Sequence, residues 1–330
     1  MSSSSLRLAM LGMIPGNGHP YSWSAIVNGY NADAMRCCPY PVIQEYLSRE
    51  PAGSVGIEDA RVTHVWTDNP AEAASVAQAA RIPNVVTRPE DVIGQVDAVL
   101  VAVDDGDDHV WRVHPFVEAG IPVFVDKPLA TNFADLSRFD AWARQGARLT
   151  SSSGLRYAPE IAEAGSDTAR EALGELRWIT SVTCKTWERY GIHALEAVEP
   201  LLGPGFLDVS LRAQDDRQIA TLTHRSRVPV TLSILGDAYG SFGTVNLFGT
   251  KTSRTIRLAD TYRAFRGQLL AFIDYVRTGR PPVPYEETRE LMLVLLAGIR
   301  SRESGGIPVP VSAMADELAE TETPQVPASR

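Results

Sequence analysis

The stretch Val123-Phe-Val-Asp-Lys-Pro-Leu129 decides the fold. Its apolar, β-branched run has the composition of a buried strand, and it ends abruptly on Asp126-Lys127-Pro128. In an open parallel sheet such an ending puts a lysine at the carboxyl edge, where ligands bind. From there Lys127 can hydrogen-bond a substrate hydroxyl or carbonyl, with Pro128 fixing the backbone that aims it. A surface Lys-Pro pair does not usually terminate a buried strand.

Outward from this stretch, short apolar runs alternate with helical ones. Strands are predicted at Leu6–Leu11, Val62–Trp66, Asn84–Thr87, Ala98–Val103 and Val123–Asp126. Pro70 opens a run of good helix formers. Asp107–Ala119 carries Val110, Val113 and Val117 at helical spacing, with Pro115 expected to kink or shorten that helix. Strand–helix alternation with near-continuous apolar strands predicts a parallel sheet covered on both faces, hence an α/β Rossmann domain over residues 1–130. The stretch Asn31–Arg61, rich in Pro and Gly, reads as an insertion ahead of the second strand.

The second half has a different rhythm. Leu176–Lys185 alternates, with Trp178, Thr180, Val182 and Cys184 on one face and Ile179, Ser181, Thr183 and Lys185 on the other. Further strands are predicted at Phe206–Leu211, Ile219–Thr223, Val228–Leu235 and Phe242–Phe248 without helices between them, which implies an open, largely antiparallel sheet. Helices near Tyr262–Thr278 and Thr288–Ser301 and a short strand at Val309–Val311 complete an α+β domain over residues 131–313. Residues 314–330 read as a polar, loosely held tail.

Composition excludes several classes of function. The chain has 330 residues, 44% apolar and 22% charged, as an ordinary globular protein does. Its net charge of −9 and lack of any Lys/Arg-rich run argue against a nucleic-acid partner. No apolar run reaches the roughly 18 residues of a membrane-spanning helix, and the residues ahead of the first strand lack the basic and long apolar regions of a secretory signal, so none is expected. Cys37, Cys38 and Cys184 form neither a disulfide framework nor a zinc site, so reduced thiols, a cytoplasmic location and no metal are expected.

Three loops carry polar chemistry. The first strand runs into Gly12-Met-Ile-Pro-Gly16-Asn17-Gly18-His19, a lengthened glycine turn in place of G-x-G-x-x-G. Such a turn can rest a pyrophosphate on the amides of the next helix, with His19 in reach of phosphate or substrate. After the second strand, Thr67-Asp68-Asn69 offers a carboxylate for the adenine-ribose hydroxyls, which favours NAD over NADP; a helix cap there is equally compatible. The third loop, Asp104-Asp-Gly-Asp-Asp-His109, lacks calcium-loop spacing and reads as a solvated acidic turn, with Asp104 nearest a cofactor.

With these residues in view, the chain resembles the Gfo/Idh/MocA family of NAD(P)-dependent oxidoreductases. The resemblance is carried by Asp126-Lys127-Pro128 in place of the family's Glu-Lys-Pro, Val96–Ala102, Arg156-Tyr-Ala-Pro159, Gly191-Ile-His-Ala-Leu-Glu-Ala-Val198 and Ser301–Val309. It implies NAD (or NADP) as cofactor and a small polyhydroxylated, sugar-like or cyclitol-like alcohol or ketone as substrate. It further implies that Lys127 orients substrate and nicotinamide and that His193 serves acid–base chemistry. Glu196 stands where the family has Asp, three residues after the histidine. The family's carboxylate four residues before it is replaced by Arg189, with Glu188 and Tyr190 as neighbouring substitutes and Lys185 close to the substrate. A homo-oligomer, dimer or tetramer, formed through the exposed sheet is also implied. Two rival functions share these residues: a redox-neutral epimerase or lyase with retained NAD, and a dinucleotide-binding scaffold without turnover.

Overall fold

The structure, a computed structural model, describes residues 5–321. In chain order the first part comprises β1 (Leu6–Leu11), α1 (His19–Asn28), α2 (Ala32–Met35), α3 (Pro41–Ser48), β2 (Ala60–Trp66), α4 (Pro70–Ala79), β3 (Asn84–Val85), β4 (Ala98–Val101), α5 (His109–Glu118), β5 (Val123–Val125), α6 (Phe133–Arg144) and β6 (Leu149–Ser151). The six strands form one parallel sheet in the order β3-β2-β1-β4-β5-β6. The strand order reverses between β1 and β4, so the connections that leave them run to opposite sides and a crevice opens outside their carboxyl ends.

Alternation within β1 explains the two covered faces. Leu8 and Met10 pack into one apolar cluster with α1 and α3, whereas Ala9 and Leu11 pack into another with α5 and α6. The sheet includes β6, so it continues past residue 130, where the sequence places the domain boundary. Pro115 lies inside α5, which continues past it to Glu118. The insertion ahead of β2 carries α2 and α3.

The second part follows with α7 (Pro159–Ala164), α8 (Asp167–Leu173), β7 (Leu176–Thr183), α9 (Ile192–Leu202), β8 (Phe206–Gln214), β9 (Arg217–His224), β10 (Val230–Leu235), β11 (Thr244–Gly249), β12 (Ser253–Arg257), α10 (Thr261–Thr278), α11 (Tyr285–Glu303), β13 (Val309–Pro310) and α12 (Val311–Glu320). Seven strands form a mixed sheet in the order β12-β11-β7-β10-β9-β8-β13. Only β7 and β10 run parallel; the other pairs are antiparallel. One face buries Ile179, Val230, Leu232, Leu211 and Leu222, sharing a core with residues of α9 and α11. The other face leaves Trp178, Ile219 and Phe248 exposed.

The polar tail expected from residue 314 is corrected in part: α12 takes residues 311–320 and buries Val311, Met314 and Leu318, spaced three and four apart. Residues 322–330 of that tail lie outside the described residues. Helix α10 crosses back to the first sheet, where Tyr262, Leu269, Phe272 and Ile273 join the cluster of Leu8 and Met10. Among the described residues no helix is long and apolar enough to cross a membrane.

Candidate active site

The carboxyl edge of the parallel sheet carries a compact set of charges. Asp126 ends β5 fully buried; its carboxylate accepts from the Lys127 amide (2.8 Å), Asn17 Nδ2 (3.0 Å) and His19 Nδ1 (2.5 Å). Asp104, past β4, is also buried and pairs with Arg189 Nη2 at 2.7 Å and Lys127 Nζ at 3.5 Å. Lys127 Nζ lies 4.0 Å from Asp126. Burial pushes both carboxyls up, but the neighbouring groups, Lys127 foremost at Asp104 and the ring N–H of His19 foremost at Asp126, outweigh it and hold both below the usual carboxylate range. Asp104 is therefore not part of a solvated turn. Of the four carboxylates of that loop, Asp104 pairs with Arg189 and Asp108 with Arg112, while Asp105 and Asp107 are exposed.

Lys127 itself is almost fully buried. Its ammonium sits 5.2 Å from the Tyr190 ring, and Lys185 Nζ lies 4.2 Å from the same ring. Burial, then Asp104, pushes the Tyr190 phenol well above its ordinary value, and burial lowers Lys185. Tyr190 belongs to a helical turn over Trp187–Gly191 that leads straight into α9, which is what brings His193 beside it. Ser153 Oγ meets His193 Nδ1 at 2.7 Å. Burial, then the charge of Lys127, holds His193 well below its ordinary value, so this imidazole is neutral.

A cavity of about 450 Å³ opens over this edge, lined by Gly16, Gly18, His19, Ser153, Tyr190 and His193 among others. Lys127 is not on its wall. The insertion contributes Tyr40, Ile43 and Tyr46, and Phe242 and Phe265 close other sides. Beside it, at the end of β2, a second cavity of about 480 Å³ is lined by Trp66, Asp68, Arg88, Trp111 and Arg112. The two cavities flank the glycine turn, where Gly12 (φ +85°) and Gly16 (φ +83°) hold left-handed backbone that glycine adopts without strain.

Several expected residues are placed elsewhere or differently. Glu188 pairs with Arg302 and is absent from the cavity wall, so it does not replace the family carboxylate. Glu196 and Glu199 are bridged by Arg156, which makes the Arg156-Tyr-Ala-Pro motif an internal brace. The Thr67 hydroxyl donates to the Asn69 carbonyl within its own turn, and the Asn69 side chain caps α4. Asp68 is held by two bonds from Arg112, at 2.8 and 3.1 Å. His109 is tied to the carbonyls of Val103 and Leu129. Arg112, Ser153 and the insertion's Tyr40, Ile43 and Tyr46 are absent from the sequence reading. Arg112 had a detectable signal: a cation on the buried side of α5, one turn after Asp108.

An edge built this way, with a glycine turn at the switch point of a parallel sheet and a second domain set against it, is the architecture of a two-domain Rossmann protein. Residues 46–152 match the model of the Gfo/Idh/MocA oxidoreductase family, NAD-binding Rossmann fold. Over this stretch, about a third of the chain, the sequence is similar to that family. Inositol 2-dehydrogenase 3 of Saccharopolyspora erythraea is 34% identical over 132 residues, 37% of this chain and 38% of the relative, so the match spans well under half of either. The fold extends further. The scyllo-inositol dehydrogenase of Lactobacillus casei, solved with bound NAD(H) and scyllo-inositol, superposes with a TM-score of 0.71 at 14% identity, covering 94% of this chain and 100% of that one. A myo-inositol dehydrogenase from Corynebacterium glutamicum superposes with a TM-score of 0.71 at 15% identity, over 93% of this chain and 98% of that one.

Proposed function

We propose that the protein is an NAD-dependent oxidoreductase that interconverts a secondary alcohol of a cyclitol-like or sugar-like polyol with its ketone, and that it acts as a homo-oligomer in the cytoplasm. The observation that carries this reading is the shared cavity: its wall joins the glycine turn of the first domain to Tyr190 and His193 of the second. Its size suits a ring-sized ligand beside a cofactor head group.

The residues fit a dinucleotide. Among the described residues nothing lies within 4 Å of where a Gly16 side chain would begin, so the turn has room for a phosphate there, although the Tyr40 hydroxyl already meets the Gly16 backbone. The neighbouring cavity, walled by Trp66, Trp111 and Arg112 with Asp68 at the rim, suits an adenosine. The helix-amide cradle is reduced, because the His19 amide is taken by Asn17 Oδ1 and Pro20 has no N–H. Arg112 offers positive charge beside Gly12 in compensation. Bound NAD supplies the hydride acceptor. Arg112 also cancels much of the negative charge of Asp68, so discrimination against a 2′-phosphate is weaker than Asp68 alone implies.

Lys127 acts here as a positioning residue: it balances Asp104 and Asp126 and fixes the Tyr190 ring above it. Calorimetric titration of nucleotide-stripped protein with NADH and with NADPH tests the reading, followed by NAD reduction with myo-inositol, scyllo-inositol and a set of aldoses. Tight NADH binding and turnover of at least one polyol are expected. Asp68→Ala should raise NADPH affinity severalfold by freeing Arg112. Failure of the folded protein to bind either nucleotide would overturn the proposal.

A further inference from the structure

We infer that the proton of the reaction is exchanged at His19, braced by Asp126, and not at His193; this rests on the oxidoreductase reading above. Two peculiarities of the chain, the lengthened glycine turn and Arg189 in place of a carboxylate, then have one explanation.

An imidazole that takes a proton from a hydroxyl needs a free ring nitrogen on the cavity and a counter-charge for the imidazolium it becomes. Both histidines line the cavity, and among the described residues Nε2 of each has no hydrogen-bond partner. They differ in their support. His193 has Ser153 at Nδ1, no carboxylate bonded to it, and cations nearby in Lys127 and Lys185, so burial and charge both oppose an imidazolium there. Arg189, four residues before it, is turned away to Asp104.

His19 has what His193 lacks. Its Nδ1 lies 2.5 Å from the ionised carboxylate of Asp126, so Nδ1 carries the hydrogen and Nε2 is the acceptor. The ring is stacked on Trp23 (centroids 4.3 Å apart) and met edge-on by Phe265 (5.2 Å), which fixes its orientation. The long turn makes this possible. Asn17 Nδ2 donates to the same carboxylate and Asn17 Oδ1 accepts from the His19 amide, carrying the start of α1 to the end of β5. The charged and titratable groups around the pair are Asp104 and Lys127 from the sheet edge, Lys185, Arg189, Tyr190 and His193 from the second domain, and Tyr40 and Tyr46 from the insertion.

In the oxidation direction the alcohol loses its O–H proton to His19 Nε2 and its carbon-bound hydrogen, with the electron pair, to NAD. The alcohol carbon is oxidised to C=O, the cofactor is reduced to NADH, and the proton leaves Nε2 for solvent at product release.

The test compares His19→Gln, His193→Gln and wild type on the best polyol from the inositol and aldose set. His19→Gln should bind NADH within about threefold of wild type yet lose roughly 10²- to 10³-fold in kcat, with the basic-form limb of the pH profile gone. In His19→Gly, added imidazole should restore part of kcat. His193→Gln should keep that limb. If His19→Gln stays within tenfold of wild type with its pH limb intact, the inference is overturned while the oxidoreductase reading stands. If wild type neither binds NADH nor turns over any polyol, both fall. Should the His19 variants fail to fold, diethylpyrocarbonate on wild type decides: inactivation must track modification of His19, and tracking of any other histidine overturns the inference.

Discussion

At the scale of single residues, His193 shows how burial sets a pH dependence that its sequence position does not. The unfolded chain takes a proton on this side chain below about pH 6.5, whereas the folded chain resists it. The unfolded state therefore holds more protons as pH falls through that value, and stability must fall with it, by up to about 1.4 kcal/mol per pH unit. His64, lowered chiefly by burial, acts in the same direction. Melting followed from about pH 7.5 to about pH 5.5 should show Tm declining in wild type and declining less in His193→Gln. Equal slopes would mean that His193 is protonated in the fold. The sequence places His193 at a helix start beside Tyr190, and the structure agrees. It gives no hint that Lys127, the residue with the clearest sequence signal, would lie beneath Tyr190 and off the cavity wall. Which side chain reaches the surface depends on tertiary packing around β5 and β7, and no local pattern encodes it.

Among elements, legibility follows length and regularity. β1, β4 and β5 are readable because apolar runs of three or more residues leave few alternatives, and β2 is readable from the β-branched and aromatic residues of Val-Thr-His-Val-Trp. β6, three residues reading Leu-Thr-Ser, and β12, an edge strand with Ile256 alone buried, are too short or too polar to stand out. Helix α12 hid behind Pro308 and Pro310, although Val311, Met314 and Leu318 carry the right spacing. The insertion reads only as loop-rich chain, yet α3 closes the cavity over Gly18. A β-carbon on Gly18 would stand 2.7 Å from Ile43 Cδ1 and 2.8 Å from the Tyr40 ring, closer than packed atoms tolerate. Ile43 can rotate away, but the Tyr40 ring is rigid, so α3 must shift. Gly18→Ala should therefore cost roughly 1–3 kcal/mol and speed proteolytic cleavage within residues 29–59. Adding Tyr40→Ala should make the double variant melt higher than the sum of the single changes predicts. Strict additivity would show that the helix does not rest on this glycine.

For the whole molecule, the open face of the second sheet is the feature left to explain. The register of β7, β10 and β9 brings Trp178, Thr180, Val182, Thr231, Ser233 and Ile219 to one side, and Phe248 of β11 stands opposite Trp178. Trp178 and Phe248 stack with centroids 5.4 Å apart, and Trp178 Nε1 donates to Thr231 Oγ1 at 3.2 Å, so the aromatic ridge is ordered even while it faces solvent. A sheet buried on one face by helices and carrying Trp, Phe and Ile on the other has apolar surface that a second layer would remove from water. In the homo-oligomer proposed above, a second copy of the same face would supply that layer with twofold symmetry and Thr/Ser hydroxyls to pair across the seam. Light scattering on the full chain should then give a multiple of the monomer mass. Trp178→Lys, which places a charge at the centre of the ridge without touching the core behind Ile179, should shift the population to monomer. The same substitution should leave NADH binding within about twofold, because no residue of the ridge lines the cavity. A wild-type monomer at micromolar concentration would exclude pairing through this face, and a Trp178→Lys oligomer would move the interface elsewhere on the molecule.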